Sequence, residues 1–295
     1  MLKPCWSVGP DRLSVPIGAL TIALLAVGIA EAGPRWHRDY NDAVQAAKTQ
    51  HKMLLIFAYA KGQDAARDQF RSRTLKDRKI AESLRAFVLA ELPLDTKINS
   101  LDRRIALFEH ESFQPLEGRQ GLVVIDYAHR DTPHYGHVVS AFPFPKTGAP
   151  DERLMSIILN LPPGTMTQRT LIYAVRLHDE KPASTAGELH PVLLWAVEQH
   201  SQHQADITRQ GHHNWETRFQ RINAKLPSGM ITTEVCAESW PDQRLIAAAI
   251  DCVRSWRQSS GHWRAVSGRH AAYAYDMKRG SNGVWYATGI FANRR

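Results

Sequence analysis

Cysteine is scarce in this chain of 295 residues. Cys5, Cys236 and Cys252 are the three, and none falls between Gly33 and Val235. Thiol–disulfide exchange needs a thiolate attacker, so the stretch 33–235 cannot carry it. A disulfide framework is excluded too. With Cys5 inside an N-terminal leader, one bond, Cys236–Cys252, is open in an oxidising compartment. Two small buried apolar side chains are the equal alternative. The motifs Gly-x-Ser-x-Gly and His-Glu-x-x-His and a phosphate-binding glycine loop are absent, which removes the common serine-hydrolase, zinc-protease and nucleotide-binding signatures. No dense Lys/Arg block interleaved with aromatics is found, so nucleic acid is disfavoured as a partner. No internal repeat is visible.

What is present is a globular composition, 43% hydrophobic and 22% charged, with length enough for two ordinary domains. The formal net charge of +8 favours anionic neighbours such as cell-wall polymers or lipid headgroups, or is a scattered basic surface. At the N-terminus, Lys3 and Arg12 precede the apolar run Ile17 to Ile29, and Ala30-Glu31-Ala32 gives a small-x-small cleavage site. This predicts an export signal over 1–32 and a secreted, periplasmic or cell-envelope protein. The run falls short of the roughly 20 apolar residues of a membrane span. Membrane attachment would come only through an uncleaved signal.

Two blocks follow. In the first, Asp39 to Lys48 predicts a helix with Tyr40, Val44 and Ala47 on one face. Met53 to Tyr59 predicts a buried strand. Asp64 to Phe70 and Leu75 to Leu84 predict helices, Phe87 to Glu91 and Leu122 to Asp126 strands, and Tyr135 to Phe142 an edge strand. Strands alternating with helices argue for an α/β layer. Their order over 33–145 resembles the thioredoxin-like fold. Where redox members carry Cys-x-x-Cys, this chain has Ala60-Lys61-Gly62-Gln63-Asp64-Ala65-Ala66-Arg67, and where they keep a cis-proline it has Gly118-Arg119-Gln120-Gly121. The block is therefore expected to be a redox-dead scaffold or docking module. Pro143 to Pro150, with three prolines and a glycine among eight residues, opens a linker taken as 146–164. A helix over Arg153 to Asn160 is expected within it.

In the second block, Thr167 to His178 predicts a helix, as does Val192 to Gln210, stopped by Gly211. Leu245 to Gln258 is the clearest, with Asp242 near its N-cap and Ile246, Ala249, Ile250, Val253 and Trp256 in one stripe. The tail predicts a hairpin: His270 to Met277, a turn at Gly280–Gly283, and Val284 to Phe291.

Histidines and a carboxylate stand out here: Gly211-His212-His213-Asn214-Trp215, Glu234-Val235-Cys236-Ala237-Glu238-Ser239-Trp240, and Ser259-Ser260-Gly261-His262-Trp263. Two separated imidazoles and a carboxylate suit a divalent metal or proton transfer. With 14 histidines in the chain, a bland alternative stands beside it. His212 or His213 would close a helix end, and Glu234 would pair with Arg218 or Arg221. A Cys236 nucleophile with His262 is a further possibility.

These segments, in this order, resemble the CAP superfamily (cysteine-rich secretory proteins, antigen 5, plant pathogenesis-related proteins; SCP-like domains) over 165–295. His212-His213 with Arg218 is similar to the first histidine motif. Glu234 to Ser239 resembles the Gly-Glu-Asn-Ile-Ala segment, with Val235 in place of asparagine. Trp256 through Gly261-His262 resembles the bacterial Trp-x-x-Ser-Pro-Gly-His, with Ser260 in place of proline and Ser259 where a second glutamate would fall. Val284 to Phe291 fits the final strand. The resemblance implies an α-β-α sandwich whose cleft is lined by two histidines and up to two glutamates, with a divalent cation held by the histidines in some members. Carried over, the cleft comprises His213 or His212, Glu234 or Glu238, and His262, with Trp263 as a wall. The metal pair, for zinc, is His213 and His262. The combined expectation is a mixed α/β and α+β chain, thioredoxin-like then CAP-like. It would bind a lipid, polysaccharide or protein ligand at the envelope through that cleft. The alternatives are a metal-dependent hydrolase with Glu234 as general base, or an adhesion module carried by charge and sensitive to salt.

Overall fold

The structure is a computed structural model, and it describes residues 35–294 apart from Gln63, Leu101 and Asp102. The expected export segment, with Cys5, lies outside the described residues. No described helix is long and apolar enough to cross a membrane.

The fold is mixed α and β, built around two main sheets. The first holds β1 (Trp36–His37), β2 (Met53–Tyr59), β3 (Phe87–Pro93), β6 (Gly121–Ile125) and β7 (Val138–Pro143), in the order β1-β3-β2-β6-β7. Strands β1, β3 and β2 are parallel, while β6 and β7 are antiparallel. A small hairpin of β4 (Lys97–Ser100) and β5 (Arg103–Ala106), which no periodicity announced, sits between β3 and β6. Helices α1 (Tyr40–Gln50), α2 (Ala65–Ser72) and α3 (Arg78–Leu84) open on aspartates. Asp39, Asp64 and Asp77 each accept a backbone N–H of the first turn through the side chain. The apolar run of β2 is buried because the sheet is covered on both faces: Leu55 and Phe57 belong to one core cluster and Leu54 and Ile56 to another. The edge strand β7 is also buried over Val139–Phe142, since the second half of the chain packs on it.

The second sheet holds β8 (Glu188–Leu189), β9 (Met230–Glu238), β10 (Ala272–Arg279) and β11 (Trp285–Arg294), in the order β8-β10-β11-β9. The expected tail hairpin is β10–β11, in register from Ala272↔Ala292 to Arg279↔Trp285. Helices α6 (Pro191–Asp206) and α7 (Trp215–Asn223) lie on one face. On the other lie α5 (Met166–Leu177), α8 (Leu245–Gln258) and α9 (Ser260–Ser267). Period-two alternation divides the two cores. Val235 and Ala237 of β9 join Trp256 and Cys252, whereas Ile290 and Ala292 of β11 join Leu193 and Val197.

Several boundaries differ from expectation. Helix α6 stops at Asp206 rather than near Gly211, because the following segment folds back on it. Gly211 donates its N–H to Gln204 Oε1 (3.1 Å) and accepts from His200 Nε2 (2.9 Å). Asp242 does not cap α8. It sits at φ +58°, takes Arg279 (3.0 Å), and donates its N–H to Gly283 in the hairpin turn. Helix α9 is too short to announce itself by periodicity; Trp263 and Val266, three apart, bury its inner face.

The proline-rich segment after β7 is docked rather than loose. Phe144 stacks on Phe57 (5.4 Å between ring centres, 9° between planes), and Thr74 Oγ1 donates to the Pro150 carbonyl (2.9 Å). Helix α4 (Glu152–Leu159), capped by Asp151, follows. One hydrophobic cluster runs from Leu55 and Phe70 through Phe142 and Phe144 to Tyr173, Trp256 and Tyr275. Cys236 and Cys252 are both free, buried thiols. The disulfide left open by the sequence does not form. Strand alternation turns Cys236 away from Val235 and Ala237, the neighbours that share a core with Cys252.

Candidate functional site: a histidine–glutamate–histidine cluster at the edge of the second sheet

Glu234 sits in β9, the edge strand, opposite Ile290 of β11. Its side chain is 1% exposed. A buried carboxylate must be compensated, and three groups converge on it. Arg218 of α7 grips both oxygens (2.5 Å to Oε2, 2.8 Å to Oε1), and His212 Nδ1 donates to Oε1 (3.0 Å). His200 of α6 lies 3.8 Å from the same oxygen. Burial alone would push the Glu234 carboxyl up. The guanidinium of Arg218, the His212 hydrogen bond and the nearby His200 together outweigh it and hold the group below the usual carboxylate range. Arg218 is itself braced, donating from Nε to the His213 carbonyl (2.9 Å) and lying over the Trp215 ring (5.1 Å).

His212 comes from the folded-back loop between α6 and α7, and His262 from the first turns of α9. Their Nε2 atoms face each other at 3.4 Å. With Nδ1–H committed to Glu234, neutral His212 presents a lone pair at Nε2 toward His262, and its side chain is 42% exposed. Burial, then the neighbouring His212, lowers the pKa of His262. That shift favours the neutral, metal-binding form of His262.

The remaining expected residues are elsewhere. His213 turns the other way. Its Nε2 donates to the Arg209 carbonyl (3.2 Å) and its ring packs near His203 and His200 (5.7 and 6.2 Å), at a cavity of about 290 Å³ bordered also by Asn214, Thr217 and Arg221. His213 and His262, anticipated as a ligand pair, do not face each other, whereas His212 and His262 do. Adjacent loop residues point to opposite sides, and the Gly211 anchorage sets which. Glu238 is exposed at the end of β9, about 13 Å along the strand from Glu234, beyond reach of the histidines. Trp263 anchors α9: Nε1 donates to Glu180 Oε2 (2.9 Å), and the ring packs on His178 (4.6 Å) and Arg257 (5.5 Å). Cys236 Sγ is 3.7 Å from His212 Nδ1, but burial, and then Glu234, raise its pKa well above the ordinary thiol value. It stays protonated, so the nucleophile reading fails.

No family model matches the chain, and no curated protein matches it. Among solved structures it is similar to an outer surface protein from Borrelia burgdorferi. The identity is 16%, over 37% of this chain and 78% of that one, with a TM-score of 0.31. A likeness at that score carries no argument about fold or function.

Sequence reasoning missed His200, whose apolar neighbours Ala196 and Val197 hid it in a helix. Its ring is buried, Nε2–H is given to Gly211, and burial lowers its pKa to about 4. An unfolded histidine titrates near 6.5. Between those values the unfolded chain binds a proton that the folded protein does not, so stability falls as pH drops from about 6.5 toward 4. The full shift corresponds to about 3 kcal/mol. In NMR titrations the His200 ring signals are expected to stay constant from pH 7.5 to about 5 while exposed histidines shift. A His200 midpoint near 6.5 would refute this.

Proposed function

We propose that the protein is exported and acts at the cell envelope, binding a ligand or partner through the cleft formed by His212, Glu234 and His262, with a divalent metal held by the two histidines. One observation carries this reading: two imidazole Nε2 atoms lie 3.4 Å apart, one ring oriented by a buried carboxylate. Two nitrogens bound to one tetrahedral zinc at 2.0–2.1 Å are separated by about 3.4 Å. A carboxylate on the far nitrogen is the usual outer-shell support of a zinc-bound histidine. When bound, the metal would polarise a ligand oxygen. Two protein ligands leave further positions for the partner molecule.

The CAP-like reading of 165–295 is supported by the helix-sheet-helix layering and by the meeting of residues from three separate segments. The thioredoxin-like reading of 33–145 is supported by the order β1-β3-β2-β6-β7 with β6 and β7 antiparallel; lacking cysteine, that part serves as support. The hydrolase alternative asks Glu234 to act as general base. Arg218 occupies both its oxygens, which favours binding over hydrolysis. The charge-driven adhesion reading needs no cleft, and high salt would abolish it.

Zinc calorimetry on the chain and its variants tests the proposal. His212→Ala and His262→Ala are each expected to remove one binding component, weakening it by about 100-fold or more, while His213→Ala leaves it intact. Isotherms identical in the wild type and the His212 and His262 variants would end the metal reading.

A further inference from the structure

A second cluster lies in the first half of the chain, apart from the cleft. Strand β6 ends at Ile125, and the next residue, Asp126, is fully buried. Its Oδ1 accepts the backbone N–H groups of Ala128 (2.8 Å) and His129 (3.0 Å). That leaves Oδ2 facing two imidazoles, His129 Nδ1 at 2.8 Å and His134 Nε2 at 3.3 Å. The carboxylate oxygen and the two nitrogens all lie within 4.8 Å of one another. His134 Nε2 is buried and makes no hydrogen bond among the described residues. An orphaned imidazole nitrogen beside a buried carboxylate is a group whose partner remains to be supplied.

We propose that Asp126, His129 and His134 form a binding site for a divalent transition-metal ion, with zinc the best fit. The donor set decides the class. Two imidazoles with one carboxylate suit zinc and its neighbours, whereas calcium and magnesium take oxygen ligands. Ligand atoms on a tetrahedral zinc are about 3.4 Å apart; His134 Nε2 stands 3.3 Å from Asp126 Oδ2, while His129 Nδ1, at hydrogen-bond distance (2.8 Å), would draw back slightly to admit the ion. Two backbone N–H groups fix the carboxylate and aim its free oxygen, the outer-shell support such sites use. All three ligands come from one short loop, so closing it around the ion costs little entropy. The Arg169 guanidinium, which interacts electrostatically with Asp126, is committed to Ser140 Oγ and the carbonyls of Leu161 and Pro162. Three protein ligands leave a fourth position, and His129, 35% exposed, opens it to solvent. Water or an anionic oxygen ligand, carboxylate or phosphate, would fill it.

Zinc titration of the full chain, with cobalt(II) absorption as a second readout, tests the site. His129→Ala and His134→Ala are expected to weaken one zinc equivalent by about 100-fold and to abolish a tetrahedral cobalt spectrum that His262→Ala retains. Zinc should raise the melting temperature of the His262→Ala protein, and the added His129→Ala change should remove that component. The His129 ring is partly exposed, so this variant folds even if His134→Ala does not, and matching melting curves without metal verify it. Zinc stoichiometry and affinity unchanged in His129→Ala, or complete loss of zinc in His262→Ala, would overturn the proposal. The second outcome would leave the cleft reading standing; the first says nothing against it.

Discussion

Replacing Arg218 by alanine is expected to destabilise the protein by about 3 kcal/mol at pH 7, because it strands the Glu234 carboxylate inside the fold. Glu234 is 1% exposed and Arg218 is 18% exposed. The residual solvation of Arg218 places the effect at the low end of the range for broken buried pairs. His212 remains as a donor to Glu234, but a single imidazole N–H cannot replace a bidentate guanidinium. The variant also loses the brace to the His213 carbonyl and the contact with Trp215, so the loop carrying His212 should loosen.

The pH dependence separates this mechanism from simple loss of packing. In the wild type the Glu234 pKa is depressed. Its contribution is therefore present above the unfolded value, about 4.3, and disappears only as pH falls through the lower folded value. In Arg218→Ala the strongest group opposing burial is gone and only His212 and His200 remain, so the folded pKa is expected to rise above the unfolded one. The carboxyl then gains a proton on folding, and the variant recovers stability as pH falls. The gap between variant and wild type, measured by urea unfolding, should narrow between pH 7 and 4.5. Arg218 also helps lower the His200 pKa, so its removal eases the His200 penalty at low pH and narrows the gap in the same direction. Adding Glu234→Gln should restore about 1–2 kcal/mol at pH 7, since the stranded charge is gone. A loss below about 1 kcal/mol that does not vary with pH would show that Glu234 is solvated without Arg218.

What the sequence made legible follows from how local each signal was. Met53–Tyr59 is seven residues of unbroken large side chains, and Leu245–Gln258 carries an apolar stripe at helical spacing; both fell where expected. Glu234 and His262 were singled out by neighbours that matched a known pattern. The choice between His212 and His213 was not available. Two adjacent histidines on a loop have no periodicity, and the contacts that orient them come from His200 and Gln204 on another element. The same holds for Phe144, inside a proline-rich stretch that composition alone marks as a linker but whose ring completes an aromatic stack with Phe57. Asp126, His129 and His134 were visible as letters. Nothing in their spacing told that the aspartate would be buried at a strand end with both imidazoles turned onto one oxygen.

Arg169→Met is expected to weaken both halves of the described chain at once. Arg169 lies in α5 and is 1% exposed, and burial lowers its pKa to about 10, so it stays charged at neutral pH. Its guanidinium donates to Ser140 Oγ of β7 (2.8 Å) and to the carbonyls of Leu161 (3.1 Å) and Pro162 (2.6 Å) between α4 and α5. One side chain thus ties the edge of the first sheet to the helices covering the second. Methionine keeps much of the apolar stem and removes every donor. The buried Leu161 carbonyl and the half-buried Pro162 carbonyl lose a partner, at about 1–3 kcal/mol each, and a net loss of about 3 kcal/mol is expected. Because Phe142 stacks on Tyr173 (4.3 Å) and one apolar cluster spans both sheets, the loss should not stay local. Amide exchange in β2 and in β10 should accelerate by the same factor, about 100-fold. If β10 exchanged faster while β2 kept its wild-type protection, the two sheets would unfold independently, and the shared cluster would be a contact surface rather than a common core.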